Sequence, residues 1–246
     1  MTYCVGMMLR RGLVFMSDTR TNAGLDNIST FKKMTTWAAQ GDRVITLLSS
    51  GNLATTQAVV SLLDERTKAH DDRVSTLLGV PSMFQAARLV ADTLREVIAT
   101  HRQAGQEADS AFRATLILGG QIAGGAPRLF LIYPEGNFIE ASADTPFFQI
   151  GETKYGRPIL VRAYDRDMSF ASAMKLLLVS FDSTLKANLT VGAPFDYHFY
   201  EADTLCAGPQ GRIELDDPYF RDIADRWGEA LKEALDGLPD FDLPPV

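Results

Sequence analysis

Two periodicities alternate along the chain. Residues Thr2 to Leu9 and Leu13 to Ser17 are short, mostly apolar runs split by Arg10-Arg11-Gly12, which predicts a β-hairpin. A loop with Asn22, Gly24 and Asp26-Asn27 is expected next. Ser29 to Trp37 and Arg43 to Ser49 read as further strands, divided by Gln40-Gly41-Asp42. The period then lengthens. Asn52 is a good N-cap for a helix to about Thr67. Ser82 and Gln85 have capping-box spacing, and Met83, Ala86, Val90, Leu94 and Val97 recur on one helical stripe. Strands are expected again at Arg113 to Gly119, Arg128 to Tyr133 and Phe138 to Ala143, with Gly119 to Gly125 read as a hairpin loop. Gly151 to Arg162 and Ser169 to Ala187 read as helices, Leu189 to Tyr200 as a strand, and Asp217-Pro218 opens a last helix.

Strands in runs followed by helices in runs point to a layered α+β fold, not to alternating βαβ units. Two hairpin-built sheets packed face to face, with helices outside, satisfy the order: a four-layer αββα sandwich. No linker or short-period repeat divides it, so residues 1–246 are expected to form a single domain.

Composition narrows the function classes. Apolar residues make up 46% of the chain, enough for a full core. The net charge of −7 argues against nucleic acid, whose phosphates need clustered Lys and Arg. No segment has the length of apolar residues that a membrane span needs. The start, MTYCVGMMLRRG, lacks a basic stretch followed by a long apolar run, so the cytoplasm is the expected compartment. Three scattered histidines and two distant cysteines give no metal-ligand spacing, and the Gly119 to Gly125 cluster is not a nucleotide fingerprint. No metal and no cofactor are expected.

The N-terminus holds the candidate chemistry. With Met1 removed, Thr2 would carry an α-amine and a hydroxyl on one residue. An α-amine titrates near 7.7–8.0, so it can serve as the base for its own hydroxyl. Only Met1 precedes Thr2, so an aminopeptidase is expected to expose it. The predicted hairpin returns Ser17-Asp18 toward Thr2, and a later strand brings Lys32-Lys33. A lysine would lower the amine and hydroxyl pKa values by its charge, and a carboxylate would hold that lysine. Gly51, at a strand end, offers an unhindered N–H to an oxyanion. The competing reading makes the Asp and Lys an ordinary surface pair.

At these residues the chain resembles the proteasome β-subunit family. The matching segments are Thr2-Tyr3-Cys4-Val5-Gly6, Ser17-Asp18-Thr19-Arg20, Lys32-Lys33-Met34, Ser50-Gly51-Asn52-Leu53 and LFLIYPEG at 129–136. Within the family it is most similar to the bacterial ancestral β-subunits (Anbu), through NAGLDNISTFKKM, SSGNLATTQAV and QIGETKYGRPIL. The resemblance implies an N-terminal-nucleophile hydrolase fold, with Thr2 as nucleophile, Asp18 and Lys33 as tuners, and the Gly51 N–H as oxyanion donor. Lys33, not Lys32, is chosen because it precedes Met34 as in the family motif. The resemblance also implies Thr21, Asn22, Phe31, Thr35, Ser49 and Leu53 as substrate-binding residues, with Arg20 in support. Two positions depart from the pattern: Glu152 stands where the family has serine, and Asn188 where it has aspartate. Three activities fit: a threonine peptidase, a small-amide hydrolase, or a non-catalytic assembly subunit. A homo-oligomer, ring or helical, is expected, with an unfoldase or operon partner as a further candidate.

Overall fold

The computed structural model describes residues 2–22, 28–68, 75–103 and 112–242. The elements in chain order are β1 (Tyr3–Leu9), β2 (Gly12–Asp18), β3 (Arg20–Asn22), β4 (Ile28–Thr30), β5 (Met34–Ala39), β6 (Arg43–Gly51), α1 (Leu53–Lys68) and α2 (Met83–Gln103). There follow β7 (Ala114–Ile122), β8 (Arg128–Ile132), β9 (Phe138–Glu140), β10 (Phe147–Gly151), α3 (Arg157–Ala163), α4 (Phe170–Ala187), β11 (Phe195–Glu201), β12 (Gln210–Ile213) and α5 (Pro218–Asp236).

Two five-stranded sheets carry the fold, in the orders β10-β1-β2-β11-β12 and β5-β6-β7-β8-β9, and every strand pairing in them is antiparallel. Three apolar clusters define the layers. Leu13, Phe15, Leu48, Ile117 and Leu129 meet between the sheets. Val59 and Leu63 of α1, with the α2 stripe, cover the outer face of the second sheet. Leu160 of α3, Leu177 and Phe181 of α4, and Phe220 of α5 cover the outer face of the first. This is the expected αββα sandwich. Both faces of β1 and β2 are buried, so their sequences read as continuous apolar runs. Tyr3, Val5 and Met7 face the helices, while Cys4 faces the other sheet. The sheets close tightly at Gly119, where an added Cβ would lie 2.7 Å from the Phe15 ring.

The helix caps follow their sequence signals. Asn52 Oδ1 accepts the Thr55 N–H at 3.0 Å, and Ser82 Oγ accepts that of Gln85 at 3.3 Å. Asp217 Oδ1 accepts from Tyr219 and Phe220, one turn into a helix that opens with Pro218.

Several segments depart from the sequence reading. Ser29 to Trp37 is not one strand. β4 ends its pairing with β3 at Thr30, and β5 begins its pairing with β6 at Met34, so residues 31–33 pass from one ladder to another. Gly119 and Gly120 lie inside β7, and the turn comes at 123–125. Residues 147–151, read only in part and as a helix start, form the edge strand β10, because β1 offers them a partner from Tyr3↔Gly151 to Met7↔Phe147. A short apolar run cannot distinguish helix from buried strand by periodicity. β11 begins at Phe195, not Leu189, and β3 and β12 were not legible at all. Gly24, Asp26 and Asn27 of the expected loop lie outside the described residues. Among the described residues, no helix is long and apolar enough to cross a membrane.

Candidate active site

Thr2 directly precedes β1 and is 8% exposed. Its backbone is held from two sides. The Thr2 carbonyl accepts the Glu152 N–H at 2.6 Å, extending the β1–β10 ladder. Gly151 allows that approach: its φ is +84°, and a Cβ there would sit 1.9 Å from the Thr2 carbonyl oxygen. The next residue is anchored along its whole length. The Tyr3 N–H donates to Asp18 Oδ1 at 2.9 Å. The Tyr3 hydroxyl accepts from Gln149 Nε2 and meets Ser180 Oγ, each at 2.7 Å. Burial pushes the Tyr3 phenol up to about 12, so it stays protonated.

Asp18 ends β2 with no exposed surface. Besides the Tyr3 amide, Oδ1 accepts Lys33 Nζ at 2.8 Å, and Oδ2 accepts the Gly192 N–H at 3.4 Å. Burial pushes the Asp18 carboxyl above its ordinary value, and the Lys33 ammonium opposes that shift. Lys33 comes from the 31–33 crossover, is 7% exposed, and also donates to the Arg20 carbonyl at 2.6 Å. Its own carbonyl accepts the Ser49 N–H. Lys33 is thus fixed through its ammonium to β2 and β3 and through its carbonyl to β6.

A cleft of about 320 Å³ opens over these groups, lined by Thr2, Lys33, Gly51, Gly151 and Ser50, with Thr21, Ser49 and Leu53. A second cavity of about 350 Å³ adjoins it, sharing Lys32, Lys33, Ser49 and Thr56 and adding Thr35 and Leu47. The sequence-predicted Thr2, Lys33, Gly51, Thr21, Ser49 and Leu53 therefore meet around one cleft, with Asp18 behind it and Thr35 next door. Phe31 lines neither cavity; its N–H is taken by the Thr19 carbonyl. Asn22 ends β3, and its side chain lies outside the described residues. Arg20 acts at the back: its guanidinium donates to the Leu189 carbonyl at 2.9 Å and packs on Gly192, where a Cβ would be 2.4 Å from it.

The two departures from the family pattern touch each other. Asn188 Nδ2 donates to Glu152 Oε2 at 3.0 Å. Glu152 Oε1 accepts the Lys154 N–H, and Asn188 Oδ1 accepts from the Thr190 N–H and hydroxyl. Tyr3, Gln149, Ser180, Gly151 and Gly192 were not legible as site residues. Only the glycines carried any signal, and it did not say which backbone would press on them. Among the described residues, no cluster of His, Cys, Asp or Glu could hold a metal.

The family model for the proteasome subunit matches residues 2–192. Among solved structures, the chain is similar to the Gly-1 mutant of Anbu from Hyphomicrobium sp. strain MC1, 51% identical over 99% of this chain and 100% of that one, with a TM-score of 0.91. It is similar to Anbu, the ancestral β-subunit, from Yersinia bercovieri at 49% identity, covering 98% and 100%, again with a TM-score of 0.91. It also matches the helical assembly of the Anbu complex from Pseudomonas aeruginosa at 46% identity, covering 99% and 98%, TM-score 0.91. No curated protein matches the chain.

Proposed function

Because the chain belongs to the proteasome subunit family, and within it to the ancestral bacterial β-subunits, we propose that it is a threonine-type N-terminal-nucleophile peptidase. The observation that carries this is the double grip of Asp18. One carboxylate oxygen holds both the amide next to Thr2 and the Lys33 ammonium, in a cleft that Thr2, Lys33 and Gly51 share. An ammonium so fixed favours the neutral α-amine and the developing alkoxide of Thr2.

In this reading Thr2 Oγ1 attacks the carbonyl carbon of a peptide bond while its proton passes to the Thr2 α-amine. The Gly51 N–H faces the oxyanion of the tetrahedral intermediate. Collapse breaks the C–N bond, the amine proton moves to the leaving nitrogen, and an ester remains on Thr2. Water then attacks that ester with the α-amine again as base, releasing the acid and restoring the hydroxyl. Thr21, Ser49, Leu53 and Thr35 would bind substrate, and Arg20 would brace Asp18 through Gly192.

Intact mass of protein purified from cells, before and after a peptide epoxyketone, tests the assignment. Loss of Met1 and one adduct per chain are expected, with none on Thr2→Ala. Retained Met1 with no adduct would sink it. One observation favours a second reading, an assembly subunit with little turnover: Glu152 and Asn188 bond to each other in place of the family's serine and aspartate. In either case we infer a homo-oligomer, as in the Pseudomonas aeruginosa helical assembly, which negative-stain images would reveal.

A further inference from the structure

We propose that Lys32 makes the cleft selective for peptides whose residue on the acyl side of the scissile bond carries a carboxylate; this rests on Thr2 as the nucleophile. Lys32 and Lys33 are adjacent but differ in electrostatic role. Lys33 is buried and neutralised by Asp18. Lys32 is exposed, and among the described residues no carboxylate pairs with it. It stands where three cavities meet: the Thr2 cleft, the adjoining cavity, and a third of about 360 Å³ toward Asp196 and Arg212. In that third cavity the acid is already taken, since Arg212 Nε and Nη2 reach Asp196 at 2.7 and 2.9 Å.

Among the described residues, no Asp or Glu lines the Thr2 cleft or the adjoining cavity. With Lys33 matched by Asp18, Lys32 leaves about one positive charge over both that no described carboxylate compensates. The adjoining cavity suits a short acidic side chain in its other features too. Leu47 and Val60 give a small apolar wall for a methylene stem. Thr35, Gln57 and Ser61 line it with donors that have no hydrogen bond to the protein among the described residues. Phe31, which the family pattern offers as apolar lining, is not there. A large apolar side chain would have to displace solvent from hydroxyls and an ammonium without replacing their hydrogen bonds.

The test uses peptide epoxyketones identical except for Glu, Leu or Lys at the residue bearing the electrophile, with adduct formation followed by intact mass. At low salt, processed wild type should react with the Glu probe about fivefold faster than with the Leu probe, as expected of one partly solvated ion pair. Added salt should shrink the difference. Lys32→Met should equalise Glu and Leu, and Lys32→Glu should favour the Lys probe. Equal Glu and Leu rates in wild type, or an unchanged order in Lys32→Glu, would overturn the proposal while leaving Thr2 as nucleophile. Should no probe label any variant, the Thr2 reading fails, and binding decides the pocket. A fluorescent peptide ending in Glu must then still bind wild type more tightly than one ending in Leu, with the order reversed in Lys32→Glu; equal binding overturns the acidic pocket.

Discussion

Lys33→Met isolates the tie between the site's chemistry and its stability. The substitution keeps the stem and removes Nζ from both Asp18 and the Arg20 carbonyl. Asp18, with no exposed surface, then keeps only the amides of Tyr3 and Gly192 among the described residues. Breaking a buried pair from one side costs roughly 3–5 kcal/mol. Protonation of Asp18 limits that loss. Burial already pushes this carboxyl above its ordinary value, and removing the Lys33 ammonium takes away the charge that opposes the shift. The sign follows from the protons bound. The folded variant would hold a proton that the unfolded chain releases near pH 4, so its stability falls as pH rises above about 4. The loss relative to wild type should thus be largest near neutrality and shrink toward pH 4. Adding Asp18→Asn removes the charge and keeps an acceptor for the Tyr3 amide, so the double variant should regain more than half of the loss and lose the pH slope. Urea unfolding at pH 5 and 7.5, at one protomer concentration because assembly adds to stability, measures this. A Lys33→Met protein within ~0.5 kcal/mol of wild type at pH 7.5, or one equally destabilised at both pH values, would refute the reasoning.

Other outcomes follow from single contacts. Gly151→Ala places a methyl 1.9 Å from the Thr2 carbonyl at a φ of +84°, so the β1–β10 edge must shift. Labelling of Thr2 should fall at least tenfold while the core stays folded, and an unchanged labelling rate would show that Gly151 does not position Thr2. His198 is buried between the sheets, with Nδ1 on Thr46 at 2.8 Å and Nε2 without a partner among the described residues. Burial holds its pKa near 4, below the ordinary 6.5. Its contribution to stability is present above pH 6.5 and is lost as pH falls toward 4, by up to about 3 kcal/mol. His198→Gln should flatten that acid limb in a urea-midpoint series, and an unaltered slope would exclude His198 as its source. The rate of Thr2 acylation should rise about tenfold per pH unit and level off at or below about pH 8, where a free α-amine is half neutral. A flat profile from pH 6 to 9 would exclude that amine as the base.

How much of this was legible depends on the sequence distance of each contact. The Thr2–Asp18 approach was visible because one tight hairpin creates it: Cys4 pairs with Ser17, so the residues beyond them must converge. The caps at Asn52, Ser82 and Asp217 were visible because each is closed by an amide two or three residues on. Lys33 came through its motif, although the strand expected to deliver it is broken there. β10 was misread because its strand identity comes from β1, over a hundred residues earlier. Glu152 and Asn188 could be named as departures, but not as partners, since their contact needs α4 to end beside the β10 edge.

Sequence alone determined the layered α+β class, the helix boundaries set by local caps, and the chain order of Thr2, Asp18, Lys33 and Gly51, the proposed catalytic set. Each rests on periodicity, short-range hydrogen bonding or a contiguous motif, which a linear string preserves. Tertiary structure decided which lysine is buried against Asp18 and which is exposed, though both line the cleft. It also decided why Gly151 and Gly192 must lack side chains, and that Phe31 stands apart from the cleft. Those facts depend on register and on the separation of the two sheets. Slipping β5 against β6 by one residue, for example, would turn every side chain of β5 to the opposite face and move the crossover that carries Lys33.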